Sequence, residues 1–227
     1  MKIFTYIKND SSRIPRKNFQ KIGNLELWKH LLYEISSYEV YIDTDSDEVI
    51  KECSIDPMLK NVVAYKRHPH MVAMENDPDN NLSPALLMVE NFLDKYIEDP
   101  DEKIILTHVT SPFLKVETIE AALNYFELGY EFIHSIHSIQ DFAWFGEKFE
   151  PLNFNPKVVQ RTQDVEKVHF SNGAFFIFSK KSFKKYGNRF GDNNFYYELN
   201  NIESIEIDTT EDLELAKIVY KGMKSND

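Results

Sequence analysis

Lys2-Ile3-Phe4-Thr5-Tyr6-Ile7-Lys8-Asn9-Asp10-Ser11-Ser12-Arg13-Ile14-Pro15-Arg16-Lys17-Asn18 changes texture in its middle. Lys2 to Ile7 is rich in β-branched and aromatic residues and reads as a strand. The residues from Lys8 onward are mostly small, polar or cationic, and Pro15 cannot donate to a ladder. A strand that runs into such a loop predicts an α/β domain with a ligand at the carboxyl end of its first strand. Small residues let backbone N–H groups approach phosphate oxygens, and the cations neutralise their charge. From Met1 to Gly23, Lys2, Lys8, Arg13, Arg16, Lys17 and Lys21 face Asp10 alone, on a chain of formal net charge -11. That contrast points to a small phosphate ligand and away from nucleic acid, which calls for a basic face. On this segment alone, a basic surface turn remains the competing reading.

Outward from the loop, short β-rich runs alternate with amphipathic ones. Val40 to Asp43, Asn61 to Tyr65, Lys103 to His108, Tyr130 to Ile136, Asn172 to Phe178 and Ile202 to Ile207 read as strands. Leu82 to Tyr96 and Val116 to Phe126 carry apolar residues at helical spacing. A last helix begins near Thr209, where Asp212 three residues on suggests a capping box. The alternation predicts a mostly parallel, Rossmann-like sheet flanked by helices. Phe142 to Pro156 is aromatic and proline-bearing with Gly146, and predicts a hairpin arm projecting at about residues 140–165 from a single domain spanning 1–227. With 227 residues, 42% hydrophobic, the chain can bury a sizeable core. No run reaches the roughly 20 apolar residues that span a bilayer, and Met1 leads straight into a strand, so a cytoplasmic protein is expected. Cys53 stands alone, which leaves no internal disulfide and a structural thiol.

Further segments carry polar chemistry. In Val40-Tyr41-Ile42-Asp43-Thr44-Asp45-Ser46-Asp47-Glu48 the acids lack the glycine and ligand spacing of a calcium loop. His108 reads as a core or hydrogen-bonding residue, and His134 and His137, though close in sequence, have no third spaced ligand for zinc. Arg161, in Gln160-Arg161-Thr162-Gln163-Asp164, has the planar fork that holds a carboxylate. In Ser204-Ile205-Glu206-Ile207-Asp208-Thr209, alternation puts Glu206 and Asp208 on one face, a pair suited to Mg²⁺ together with phosphates, although a solvated strand end fits the same residues.

Taken in order, these segments resemble the CMP-N-acetylneuraminate synthetase (acylneuraminate cytidylyltransferase) family. The resemblance rests on Ser11, Ile14, Pro15, Lys17 and Asn18 in the first loop, on Val40 to Asp45 and Arg67, and on Thr110-Ser111-Pro112. It continues through Arg161, Asn172-Gly173-Ala174 and Ile205 to Asp212. It implies a nucleotide-diphospho-sugar transferase fold, with CTP bound by Lys8, Asn9, Ser11, Ser12, Arg13, Lys17, Asn18, Asp43 and Arg67. It further implies a sugar acid held by His108, Thr110, Ser111, Arg161, Gln163, Phe170 and Asn172, Mg²⁺ on Glu206 and Asp208, and Lys17 and Asp208 as the catalytic pair. A homodimer is implied as well, in which the arm carries Arg161 into the partner's sugar site. Lys8, Ser12, Asp43, His108, Val109 and Glu206 replace the family's arginine, lysine, serine, glutamine, proline and aspartate, and no lysine stands in Asp141 to Gly146. These departures leave open a different sugar acid such as Kdo, a different nucleotide, or a relative that binds without turnover.

Overall fold

A computed structural model describes residues 1–77, 79–80 and 83–225. The first half alternates strands and helices: β1 (Lys2–Ile7), a small hairpin β2 (Lys21–Ile22) and β3 (Leu25–Glu26), α1 (Leu27–Glu34), β4 (Glu39–Thr44), α2 (Asp47–Ile55), β5 (Val62–Lys66) and α3 (Pro69–Asn76). Next come α4 (Ala85–Tyr96), β6 (Lys103–Thr107), α5 (Val116–Glu127), β7 (Phe132–Ile139) and a second hairpin, β8 (Trp144–Phe145) with β9 (Glu150–Pro151). The chain ends with β10 (Val168–Ser179), α6 (Lys180–Tyr186), β11 (Asn194–Glu198) and α7 (Thr210–Lys224). Of the helix expected from Leu82, the part from Ala85 is present; Leu82 lies outside the described residues.

The central sheet has seven strands in the order β11-β7-β10-β6-β1-β4-β5. All run parallel except β10, which pairs antiparallel with both β6 and β7. Alternating side chains divide the core, as the period of two requires. Ile3, Ile7, Ile105, Phe175 and Ile177 pack against Trp28, Leu31 and Leu32 of α1 on one face. Phe4, Leu106, Phe176 and Phe178 pack against Met88, Val89, Phe92 and Leu93 of α4 on the other. Each of those α4 side chains contributes about 1.5–3 kcal/mol by leaving water, which explains why the helix forms on this face.

Within the stretch expected to form an arm, a short hairpin is present. β8 and β9 pair antiparallel, and the Asn153 side chain bonds Ala143 N–H, Asp141 C=O and Glu166 C=O at the arm's base. The expected strand from Ile202 to Ile207 does not form. Residues 201–204 are a turn, because the Glu203 carboxylate accepts from Asn200 Nδ2 and Lys115 N–H and draws the chain inward. Residues 205–208 form no strand, and Ile207 N–H ties them to Thr110 C=O (2.9 Å). The edge position goes to β11 instead, whose alternation is broken by adjacent aromatics Phe195, Tyr196 and Tyr197. At α7 the capping box of Thr209 and Asp212 is formed as expected.

Candidate active site

Neighbours β1 and β6 send the chain to opposite sides of the sheet, with β4 and β5 beyond β1 and β10, β7 and β11 beyond β6. Such a switch point opens a crevice at the strands' carboxyl ends. A cavity of about 300 Å³ occupies it, lined by Tyr6, Lys8, Asp10, Ser11, Arg13, Lys17 and Asn18 after β1, and by His108, Val109 and Thr110 after β6. Glu206, Asp208 and Glu75 complete the wall. A larger cavity of about 910 Å³ lies beyond Arg67, between β5, α3 and α4, but none of the basic loop's cations lines it.

Local hydrogen bonds shape the loop. Asp10 Oδ1 accepts from Ser11 N–H (2.8 Å) and Arg16 N–H (3.0 Å), and these bonds hold its carboxyl below the usual range. Arg16 adopts a left-handed conformation (φ 51°), turning the chain into the short 3₁₀ segment Lys17–Phe19. Asn18 Nδ2 donates to Lys8 C=O (2.8 Å), and Asn9 N–H to Asp45 Oδ1 (2.6 Å). As a result Lys17 Nζ donates to Ile207 C=O and Asp208 Oδ1, both at 3.0 Å, and Arg13 Nη2 donates to the same Asp208 oxygen at 2.7 Å. Residues almost the whole chain apart therefore meet across one crevice. Ser12 lies just outside, on an adjoining hollow shared with Lys8 and Ser11.

The opposite wall is built by β6 and the bulge of β10. Tyr6 Oη and His108 Nε2 are 3.0 Å apart, and Thr110 Oγ1 lies 3.5 Å from Glu206 Oε1. Gly173 (φ +70°) presses against this pair: a Cβ there would sit 3.1 Å from His108 Nδ1 and 3.5 Å from Glu206 Oε1, so only glycine fits without a shift. Burial, aided by the Arg189 and Lys17 charges, pushes the His108 imidazole down to about 3, so it is neutral. Burial and the Asp208 charge raise Glu206 to about 7. Ser111 is buried and its hydroxyl has no partner among the described residues. Asn172 is buried as well, its Oδ1 accepting from Ser135 Oγ (2.7 Å) and Ala174 N–H (3.3 Å).

Not all expected contacts converge. Arg67 is fully enclosed: its guanidinium donates to Asp43 Oδ1 (2.6 Å), Glu75 Oε2 (2.5 Å), Ile7 C=O (3.2 Å) and Asp43 C=O (3.1 Å). Burial pushes the Asp43 carboxyl above its usual range, and the guanidinium offsets part of that. This pair thus braces the ends of β1, β4 and β5 beneath the crevice. Arg161, Gln163 and Phe170 line no part of the cavity in their own chain. Arg161 is 72% exposed and paired with Asp164, Gln163 sits in the 3₁₀ turn Thr162–Asp164, and Phe170 stacks on His137. Conversely, Tyr6, Glu75 and Gly173 line or press on the site although no motif reading assigns them to it. Tyr6 was findable, since it shares its sheet face with Phe4 and follows it at the strand's ligand end. Arg189, held over Phe176 from the α6–β11 loop, carries no comparable signal.

Among the described residues no group of three or more His, Cys, Asp or Glu could hold a metal. The Glu206 and Asp208 oxygens still fit Mg²⁺, which takes one or two carboxylates with phosphates and water. Among the described residues Glu206 is partly buried and forms no ion pair, and burial beside the Asp208 charge raises its affinity for a proton.

A basic loop facing paired carboxylates across a switch-point crevice defines, with this sheet, a domain of the nucleotidyltransferase class. The family profile described as "Cytidylyltransferase" matches residues 8–225, and the chain belongs to that family. It is 22% identical over 222 residues to the pseudaminic acid cytidylyltransferase of Campylobacter jejuni, covering 94% of this chain and 93% of that one. Identity is also 22% over 188 residues with the N-acylneuraminate cytidylyltransferase of Streptococcus agalactiae, covering 77% of this chain and 40% of that protein, so the chain spans well under half of that relative. The fold matches a CMP:2-keto-3-deoxy-manno-octonic acid synthetase solved with CTP at TM-score 0.64 and 13% identity, covering 97% and 98% of the two chains. A 4-diphosphocytidyl-2C-methyl-D-erythritol synthase matches at TM-score 0.64 and 9% identity, covering 96% and 98%.

Proposed function

We propose that the chain is a cytidylyltransferase that activates a 2-keto sugar acid of the nonulosonate kind, converting it with CTP to a CMP-sugar and pyrophosphate. The observation that carries this reading is the meeting of Lys17 and Arg13 with Asp208 in one crevice, beside Glu206. Pseudaminic and acylneuraminic acids are named for two relatives, which favours a nine-carbon acid as substrate.

In this reading the loop from Lys8 to Asn18 holds the triphosphate through its backbone N–H groups, Lys8, Arg13 and Lys17. The anomeric hydroxyl attacks the α-phosphorus in line with the pyrophosphate leaving group. An O–P bond forms, the bond to the bridging oxygen of pyrophosphate breaks, and the hydroxyl proton passes to solvent. Lys17, freed from Asp208 when phosphate enters, stabilises charge on the phosphoryl oxygens. Glu206 and Asp208 would hold Mg²⁺, which when bound supplies charge neutralisation at the phosphates. His108, neutral and bonded to Tyr6, offers the sugar a hydrogen bond without adding charge.

The arm exposes Trp144, Phe145, Phe149 and Leu152, a density of apolar surface that favours burial against a second copy and a twofold dimer. Any contact of Arg161 with a sugar would come from that partner. No described helix is long and apolar enough to cross a membrane. The test of the reading is pyrophosphate release from CTP with N-acetylneuraminic acid, pseudaminic acid and Kdo offered separately. Release with either nine-carbon acid supports it, release with Kdo alone overturns the nonulosonate assignment, and release with none overturns the reading as a whole.

A further inference from the structure

Arg189 belongs to the α6–β11 loop and reaches the aromatic cluster beside His108, outside the residues that line the crevice itself. Its guanidinium carbon lies 4.1 Å over the Phe176 ring and 5.8 Å from that of Phe190. Phe176 in turn sits 6.1 Å from the His108 ring, and His108 bonds to Tyr6. Among the described residues Arg189 forms no ion pair, although the chain's other arginines, Arg13, Arg16, Arg67 and Arg161, are each paired with a carboxylate. Tyr6 and His108 separate it from the phosphate-binding loop, so it is poorly placed for the triphosphate. A guanidinium whose face is covered by an aromatic ring keeps its N–H edges free for a planar, two-oxygen partner.

We propose that Arg189 is the residue that receives the sugar acid's carboxylate, and that it does so within its own subunit. This rests on the sugar-acid reading above, and it assigns to the α6–β11 loop a task for which Arg161 is badly placed in its own chain. The carboxylate would lie edge-on to the guanidinium, with the sugar ring toward Tyr6 and His108 and the anomeric hydroxyl toward Glu206 and Asp208. Phe176 and Phe190 exclude water from one side of the pair, which strengthens it relative to an exposed contact.

The experiment compares wild type, Arg189→Ala, Arg189→Lys and Arg161→Ala on two substrates: the acid that wild type turns over, from N-acetylneuraminic acid, pseudaminic acid and Kdo, and its neutral methyl ester. Thermal unfolding checks that each variant is folded. Loss of a charge-assisted contact lowers kcat/KM for the acid about tenfold to a hundredfold in Arg189→Ala, while KM for CTP stays put. The expected signature is that wild type and Arg161→Ala favour acid over ester, Arg189→Ala no longer does, and Arg189→Lys keeps part of the preference. If Arg189→Ala loses acid and ester activity in equal measure, or keeps the wild-type preference, the assignment is overturned. A preference that vanishes in Arg161→Ala alone gives the carboxylate to the partner's arm and also overturns it. A wild type inactive with every acid removes the functional reading itself and this assignment with it, a failure distinct from that of an active enzyme indifferent to Arg189.

Discussion

Replacing Arg67 by methionine keeps much of its volume and removes its charge, so it isolates what the buried guanidinium does. The side chain is fully enclosed, and it satisfies the Asp43 carboxylate, itself 2% exposed, the Glu75 carboxylate and two backbone carbonyls. Removing it leaves Asp43 buried without a counter-charge. Breaking a buried pair by removing one partner costs about 3–5 kcal/mol, far more than an exposed bridge contributes. For a chain of this size that lowers the melting temperature by roughly 6–20 °C. Denaturant unfolding of Arg67→Met followed by circular dichroism measures the loss directly. Adding Asp43→Asn in the same chain should recover part of it, because the amide tolerates burial without a cation. A loss under about 1 kcal/mol, the level of an exposed bridge, with CTP affinity reduced instead, would refute the bracing role and show Arg67 to be a ligand contact held ready for the nucleotide.

Lys17→Ala removes a cation from the phosphate loop and should lower kcat/KM for CTP by about tenfold to a hundredfold; unchanged CTP kinetics would remove Lys17 from the site. Asp208→Asn should abolish most Mg²⁺-dependent turnover while Glu206→Asp is tolerated, and wild-type metal dependence in Asp208→Asn would end the assignment of Mg²⁺ to this pair. Burial and Asp208 raise Glu206 from its ordinary 4.5 to about 7. Its protonated form is therefore favoured by folding, and that contribution is complete below about pH 4.5 and lost as pH rises through about 7. Metal-free Glu206→Gln should accordingly melt higher than wild type at about pH 8 and equal to it at about pH 4.5, and equal melting at both would contradict the burial of this carboxylate. If the proposed dimer is sealed by the arm, Phe145→Asp should weaken it by more than about tenfold in sedimentation equilibrium; an undisturbed dimer would place the interface elsewhere, and a monomeric wild type would remove the proposed dimer.

How far the sequence carried the reading depends on the range over which each signal acts. β1, its basic loop and the Thr209 cap were legible because strand composition, turn residues and capping pairs act between neighbours in the chain. The meeting of Lys17 with Asp208 was legible only through the ordered motifs, since the residues are 191 positions apart. The strand expected at Ile202–Ile207 failed because Glu203, buried and bonded to Lys115 N–H, draws the chain inward, a tertiary effect that alternation cannot report. β11 was missed for the complementary reason: Phe195, Tyr196 and Tyr197 are aromatic in succession. Asp43 and Arg67 were read as nucleotide contacts from their place in motifs, and the pairing between them appears only when β4 and β5 lie in register. Arg189 sits in an irregular loop whose only distinction is the wall it leans on.

The central claim, that the chain joins CMP to a sugar acid, is tested most directly by mass spectrometry of the products formed from CTP, Mg²⁺ and each acid of the panel. With one acid, a CMP-sugar should appear in equal amount to pyrophosphate, and ATP, GTP and UTP should give far less. The absence of any CMP-sugar under conditions where CTP binds, or equal product from every nucleotide, would contradict it.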